Sequence, residues 1–210
     1  MKDTKESGIQ SKPGRTEAGA LSQKPKETKE QKEQKEQRQE AFGGEEQDAP
    51  EQALVELLLK YGLSISTAES CTGGMVASRL VDVPGVSAVF KEGFVTYSNK
   101  AKRKTLDVSK STIRKEGAIS EQTAKEMAMG AALAADTDLA VSVTGNAGPD
   151  AEEDKPVGLV YIGVYLGGKV KAVEYQFEGD RRAVREQAAD AALKLARKAV
   201  IKLKEKKAAK

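Results

Sequence analysis

The sequence predicts an α/β protein, a single three-layer α/β/α domain with a mixed, mostly parallel sheet and one C-terminal hairpin. Three observations lead there. Helix-like and strand-like segments alternate from Pro50 onward, glycine-rich loops follow two of the strand-like segments, and Gly167-Gly168 divides two adjoining β-rich runs. Alternating elements joined by crossovers place helices on both faces of a sheet, and a glycine pair between strands is a hairpin signal.

The first element follows Pro50. Leu54, Leu57 and Leu58 recur at helical spacing, with proline in the first turn and Gly62 just past the end. Leu63 to Thr67 is short and β-branched, a strand. Ala68 to Gly74 then leads into Met75, Val76, Leu80 and Val81 at helical spacing. Ser87 to Tyr97 reads as a second strand region with a bend at Gly93, followed by a polar helix from about Asn99. Ser120 caps a long helix whose apolar positions are Met127, Met129 and Leu133. Leu139 to Val143 is a strand ending in the Gly/Pro-rich loop Thr144 to Asp150. Val157 to Leu166 and Lys169 to Phe177 form the hairpin. A last helix from about Asp180 is apolar at Val184, Ala188, Ala192, Leu195, Ala199 and Leu203.

Composition divides the 210 residues unevenly. Met1 to Asp48 holds ten Lys and Arg against eleven Asp and Glu, repeats Lys-Glu-Gln, and has almost no large apolar residues besides Ile9, Leu21 and Phe42. Such a stretch cannot bury enough surface to order itself, so residues 1–49 read as a disordered charged tail, 50–205 as the domain and 206–210 as a basic tail. A formal net charge of +3 argues against nucleic acid as the main partner. No apolar run reaches the roughly 18 residues of a membrane span, and the tail is too acidic for a transit peptide. The expectation is a soluble, cytoplasmic protein that engages neither membrane nor nucleic acid.

The chain has one cysteine, Cys71, and no histidine. Paired-Cys zinc sites and Ser-His-Asp or Cys-His catalysis are thereby excluded within it, leaving Lys, Tyr, Asp, Glu or Cys for proton transfer. Four segments could carry chemistry. Ser70-Cys71-Thr72-Gly73-Gly74, between a strand and a helix, places backbone N–H groups beside Ser70, suited to an oxyanion or phosphate; a plain turn capped by Thr72 explains it equally. Tyr97 and Lys102 share one region, and a buried lysine of lowered pKa can activate a serine; the alternative is a solvated helix face of Lys100, Lys102, Arg103 and Lys104. Gly145, Asn146, Ala147 and Gly148 sit where an α/β sheet tends to bind ligands, or form a simple connection. Arg181, at the start of the last helix with Arg185 behind it, suits a phosphate, or is an exposed arginine on an Asp-capped helix.

Taken in order, these segments resemble the C-terminal domain of the competence/damage-inducible CinA family, whose stand-alone members are nicotinamide-nucleotide amidohydrolases. The resemblance runs from about Glu51 to Leu203. It is carried by Thr67 to Gly74, Gly93 to Asn99, Ala147 to Asp150, Lys155 to Gly158 and Gly179 to Arg181. It implies deamidation of nicotinamide mononucleotide to nicotinic acid mononucleotide plus ammonia, with Ser70 as nucleophile, Lys102 as base and Tyr97 as a proton-handling or orienting hydroxyl. Substrate contacts fall to Thr72, Gly73, Gly74, Gly145, Asn146, Ala147, Gly148 and Arg181, with no metal or organic cofactor. The chain departs from the family pattern at Asn146, where an aliphatic residue is usual, at Ala151, where a glycine is usual, and in a short stretch before Lys155.

Three other readings remain open from sequence. Cys71 with Glu69 and a lysine has the residue types of a nitrilase-like amidase. The same loops could bind a nucleotide or protein without catalysis. The lysine-rich end, Lys202 to Lys210, suggests an RNA-associated accessory protein. A homodimer is the expected assembly if so small a domain leaves an apolar face exposed.

Overall fold

A computed structural model describes residues 49–208, apart from the side chain of Lys207. The expected tail therefore lies, except for Ala49, outside the described residues. The chain runs α1 (Pro50–Tyr61), β1 (Ile65–Glu69), α2 (Met75–Val81), a 3₁₀ turn (Val86–Ala88), β2 (Phe90–Val95), α3 (Asn99–Leu106), α4 (Lys110–Glu116), α5 (Glu121–Ala134), β3 (Leu139–Gly145), β4 (Leu159–Leu166), β5 (Lys169–Gln176) and α6 (Arg181–Ala208). The sheet order is β2-β1-β3-β4-β5. β1 pairs parallel with both β2 and β3, and the β4–β5 hairpin adds antiparallel through β4. The sheet is thus mixed, with a three-stranded parallel part and one hairpin turned at Gly167 and Gly168, both at positive φ.

Helices cover both faces. α1, α2 and α6 pack on one side around Leu54, Leu58, Val76, Leu80, Val184 and Leu193; the other side is closed by α3 and α5 around Leu106, Met127 and Ala131. α5 lies unusually close to its neighbours because small residues face them. A Cβ on Gly130 would sit 2.0 Å from the Leu106 carbonyl oxygen, and one on Gly163 of β4 would sit 2.4 Å from that of Ala124. Ser142 Oγ donates to the same Ala124 oxygen at 2.6 Å.

Several expectations change on this scaffold. The first strand begins two residues later than its β-branched run suggests, which moves Glu69 into β1 with its side chain buried. The irregularity in the second strand region is not at Gly93. Ile65 pairs with Phe90 and Ser66 with Glu92, so Lys91 is the extra residue. α4, capped by Ser109, was not anticipated. On α5, Met129 and Leu133 point to solvent, whereas Ala124, Ala128 and Ala131 are buried. On α6 the buried line runs Val184, Ala188, Ala192, then Leu193, Ala196 and Val200, which leaves Leu195, Ala199 and Leu203 on its flank. Lys206 to Ala208 continue α6 rather than forming a tail. Among the described residues, no helix is long and apolar enough to cross a membrane.

Candidate active site

The three parallel strands end together, so the chain leaving β1, β2 and β3 converges at their carboxyl edge, where open α/β sheets bind ligands. A cavity of about 250 Å³ opens there, lined among others by Ser70, Tyr97, Lys102, Gly145, Ala147 and Arg181. These six expected residues are brought together. Thr72, Gly73, Gly74, Asn146 and Gly148 do not line it.

Lys102 is drawn inward by the start of α3. Ser98 caps that helix by accepting from Ala101 N, and the second turn then points Lys102 under the sheet edge, where it is 1% exposed. Its Nζ donates to Ser70 Oγ at 2.9 Å, to the Thr96 carbonyl at 3.0 Å and to that of Tyr97 at 3.3 Å. Burial brings its pKa from the ordinary 10.5 to about 8, partly opposed by Cys71 and by the Glu153 and Glu152 carboxylates. The solvated-face alternative therefore fails for this lysine: it is a buried amine aimed at a serine hydroxyl.

The turn carrying Ser70 is braced from both sides. Glu69 accepts from Gly74 N at 2.9 Å, Val76 N at 3.1 Å and Ala77 N at 2.9 Å, which satisfies the orphan donors at the start of α2. Arg185, reaching from α6, donates to the carbonyls of Cys71 at 3.0 Å and Thr72 at 2.8 Å. Gly73 and Gly74 adopt positive φ that the turn requires. This corrects two expectations. The helix start is already filled by a carboxylate, Thr72, Gly73 and Gly74 shape the turn and lie outside the cavity lining, and Arg185 is committed to the protein. Cys71 does line the cavity, but burial pushes its thiol up to about 11, the opposite of an activated nucleophile. Cys71 and Ala147 contribute backbone N–H groups that, among the described residues, bond no backbone carbonyl; both lie at the cavity wall and suit an oxyanion.

Tyr97 is 59% exposed, and its hydroxyl accepts from Arg181 Nη2 at 2.9 Å rather than touching the Ser70–Lys102 pair. Arg181 also donates to the Gly148 carbonyl and so reaches the cavity from a fixed position. Asn146 is buried and holds the following loop: Nδ2 donates to the carbonyls of Asp150 and Lys155 at 3.0 and 3.2 Å, and Oδ1 accepts from Gly148 N at 2.9 Å. An aliphatic side chain could make none of these bonds.

Among the cavity residues missed from sequence are Ala118 and Ile119 and the two carboxylates Glu152 and Glu153. Glu153 spends both carboxylate oxygens on Ala118 N at 3.1 Å and Ile119 N at 3.0 Å, pinning the loop over the site. The Glu152-Glu153-Asp154 run was the available signal, but it reads as an exposed loop. Among the described residues, no group of three or more His, Cys, Asp or Glu could hold a metal ion.

Comparison with known proteins follows the same boundaries. A CinA-like protein of Kosmotoga olearia is 52% identical over 158 residues, covering 75% of this chain and 38% of that protein. The chain thus spans less than two fifths of the length of that curated relative. Among solved structures, a CinA superfamily protein of Klebsiella pneumoniae superposes with a TM-score of 0.71 at 33% identity, covering 72% of this chain and 96% of that one. The competence/damage inducible protein CihA of Agrobacterium tumefaciens gives 0.67 at 40% identity, covering 70% and 93%. With the family model of the CinA C-terminal domain matching residues 47–200, the chain belongs to the CinA C-terminal domain family.

Proposed function

We propose that this domain is an amidohydrolase that releases ammonia from the carboxamide of nicotinamide mononucleotide, leaving nicotinic acid mononucleotide, with Ser70 as nucleophile and Lys102 as general base. The observation that carries the reading is the 2.9 Å bond between Lys102 Nζ and Ser70 Oγ, made by a lysine that is 1% exposed. A lysine whose pKa is about 8 supplies a useful fraction of free amine near neutral pH, which an ordinary lysine does not.

In this mechanism the free amine takes the Ser70 proton as Oγ attacks the carboxamide carbon. The tetrahedral oxyanion is met by backbone N–H groups at the cavity wall, with Cys71 and Ala147 the candidates. The Lys102 ammonium returns its proton to the departing nitrogen, and ammonia leaves an acyl-Ser70 ester. Lys102, again neutral, takes a proton from the water that attacks this ester and returns it to Ser70 Oγ as the acyl C–O bond breaks, which releases the acid and restores the serine. Arg181, held by Tyr97 and Gly148, is the cation for the substrate phosphate. The chemistry needs no metal or organic cofactor, and the reaction belongs to pyridine nucleotide salvage.

The test is ammonia release from nicotinamide mononucleotide without added metal, for wild type, Ser70→Ala and Lys102→Ala. Turnover by wild type alone is the expected result. Turnover that survives Ser70→Ala removes the proposal.

A further inference from the structure

The cavity holds opposite charges that the reaction steps above do not all use. Arg181 supplies a fixed cation, while Glu152 and Glu153 place two carboxylates in the same wall as Ser70 and Lys102. The two glutamates are not equivalent. Glu153 is consumed by the Ala118 and Ile119 N–H groups, whereas the Glu152 carboxylate has no hydrogen-bond or ion-pair partner among the described residues. Its backbone is held in place: Lys155 N donates to the Glu152 carbonyl at 2.9 Å, and Glu153 and Asp154 turn the chain at φ 54° and 56°. The loop that carries it is pinned again by Asn146.

A free carboxylate and a fixed guanidinium in one small cavity match a ligand that is itself zwitterionic. We propose that Glu152 determines specificity, favouring a carboxamide carried on a cationic ring, the quaternary pyridinium of an oxidised nicotinamide nucleotide, over the same carboxamide on a neutral ring. This rests on the amidohydrolase reading. An anionic wall lowers the cost of bringing a cationic ring beside Lys102. The ring charge also serves the chemistry. A cation bound beside Lys102 disfavours its ammonium form and so raises the share of free amine that can deprotonate Ser70.

The reduced dihydropyridine nucleotide is the control ligand, since it keeps the carboxamide, ribose and phosphate but lacks the ring charge. Binding is the readout, because the two carboxamides differ in intrinsic reactivity. Oxidised and reduced nicotinamide mononucleotide are titrated by calorimetry into the Ser70→Ala protein, which stops turnover, and into Ser70→Ala with Glu152→Gln. The expected result is a preference of about tenfold for the oxidised form, as a partly screened ion pair gives, collapsing to within about twofold when Glu152 is neutral. Equal affinities in the parent, or a preference that Glu152→Gln leaves intact, overturn the proposal. Ammonia assays on the wild type separate the two readings. Turnover with a Glu152-independent preference refutes only the specificity proposal; a Glu152-dependent preference without turnover refutes only the amidohydrolase.

Discussion

Replacing Lys102 by methionine should change the pH dependence of stability as well as abolish activity. Lys102 has a folded pKa of about 8 against an ordinary 10.5. Between these values the unfolded chain holds a proton that the folded protein has released, so wild-type stability rises as pH climbs through that window. Below about pH 8 both states are protonated, and the full cost of a buried ammonium is present. The drop from 10.5 to about 8 corresponds to about 3 kcal/mol at pH 7. Methionine of similar length carries no such cost. The hydrogen bonds to Ser70, Thr96 and Tyr97 are lost as well, and the part of their contribution that changes when Lys102 releases its proton is already contained in the pKa difference. The stability of the variant minus that of wild type should therefore fall by about 3 kcal/mol between pH 7 and pH 10.5. Urea unfolding at five pH values across that range measures it, with Cys71 replaced by alanine in both proteins because its thiol is coupled to Lys102, so that the titrations uncoupled from Lys102 cancel in the difference. A difference that stays flat would mean that Lys102 titrates normally, and the base assigned to Ser70 would be lost with it.

Three further outcomes follow from the same geometry. For wild type, kcat/KM should climb about tenfold from pH 7 to a plateau near pH 9, with an apparent pKa near 8, because only the free amine of Lys102 accepts the serine proton; initial rates of ammonia release across that range read it. Cys71→Ala should retain turnover within about threefold, and alkylation of wild type at pH 8 should be slow because the thiol stands at about 11; mass spectrometry follows the adduct. Arg185→Met should lower kcat by tenfold or more, with KM for nicotinamide mononucleotide little changed, and should cost about 2 kcal/mol of stability, since it frees the Cys71 and Thr72 carbonyls without touching the phosphate site. A rise in KM alone would instead make Arg185 a substrate ligand.

The fold was largely legible because the signals that define it are local. Pro50 and Gly62 bracket α1, Ser120 caps α5, and Gly167-Gly168 closes the hairpin, each through backbone chemistry that a short window contains. Helix faces were harder to read. On α5 a pattern search favours the large Met129 and Leu133, but close approach to α3 needs Gly130 and close approach of β4 needs Gly163 opposite Ala124, so the small residues are inside. The candidate site shows the same division. Ser70 and Lys102 stand out through residue type and motif order, with histidine absent. The duties of Glu69, Asn146 and Arg185 depend on partners 2 to 114 positions away and on which way the backbone donors and acceptors point. Glu152 and Glu153 enter the cavity only because the loop folds back over it, which composition does not encode.

The brace on the nucleophile turn also bears on when the protein becomes competent. Ser70 lies near the start of the domain, yet the two carbonyls that orient its turn are gripped by Arg185, from the last helix. During synthesis, β1 and α2 emerge more than a hundred residues before that guanidinium exists. A nascent or proteolysed chain ending ahead of α6 would carry Ser70, Lys102 and all five strands while leaving the serine's turn without the Arg185 clamp and one sheet face covered only by α1 and α2. On the amidohydrolase reading, the serine's turn is therefore fully braced only once α6 has been made and has docked.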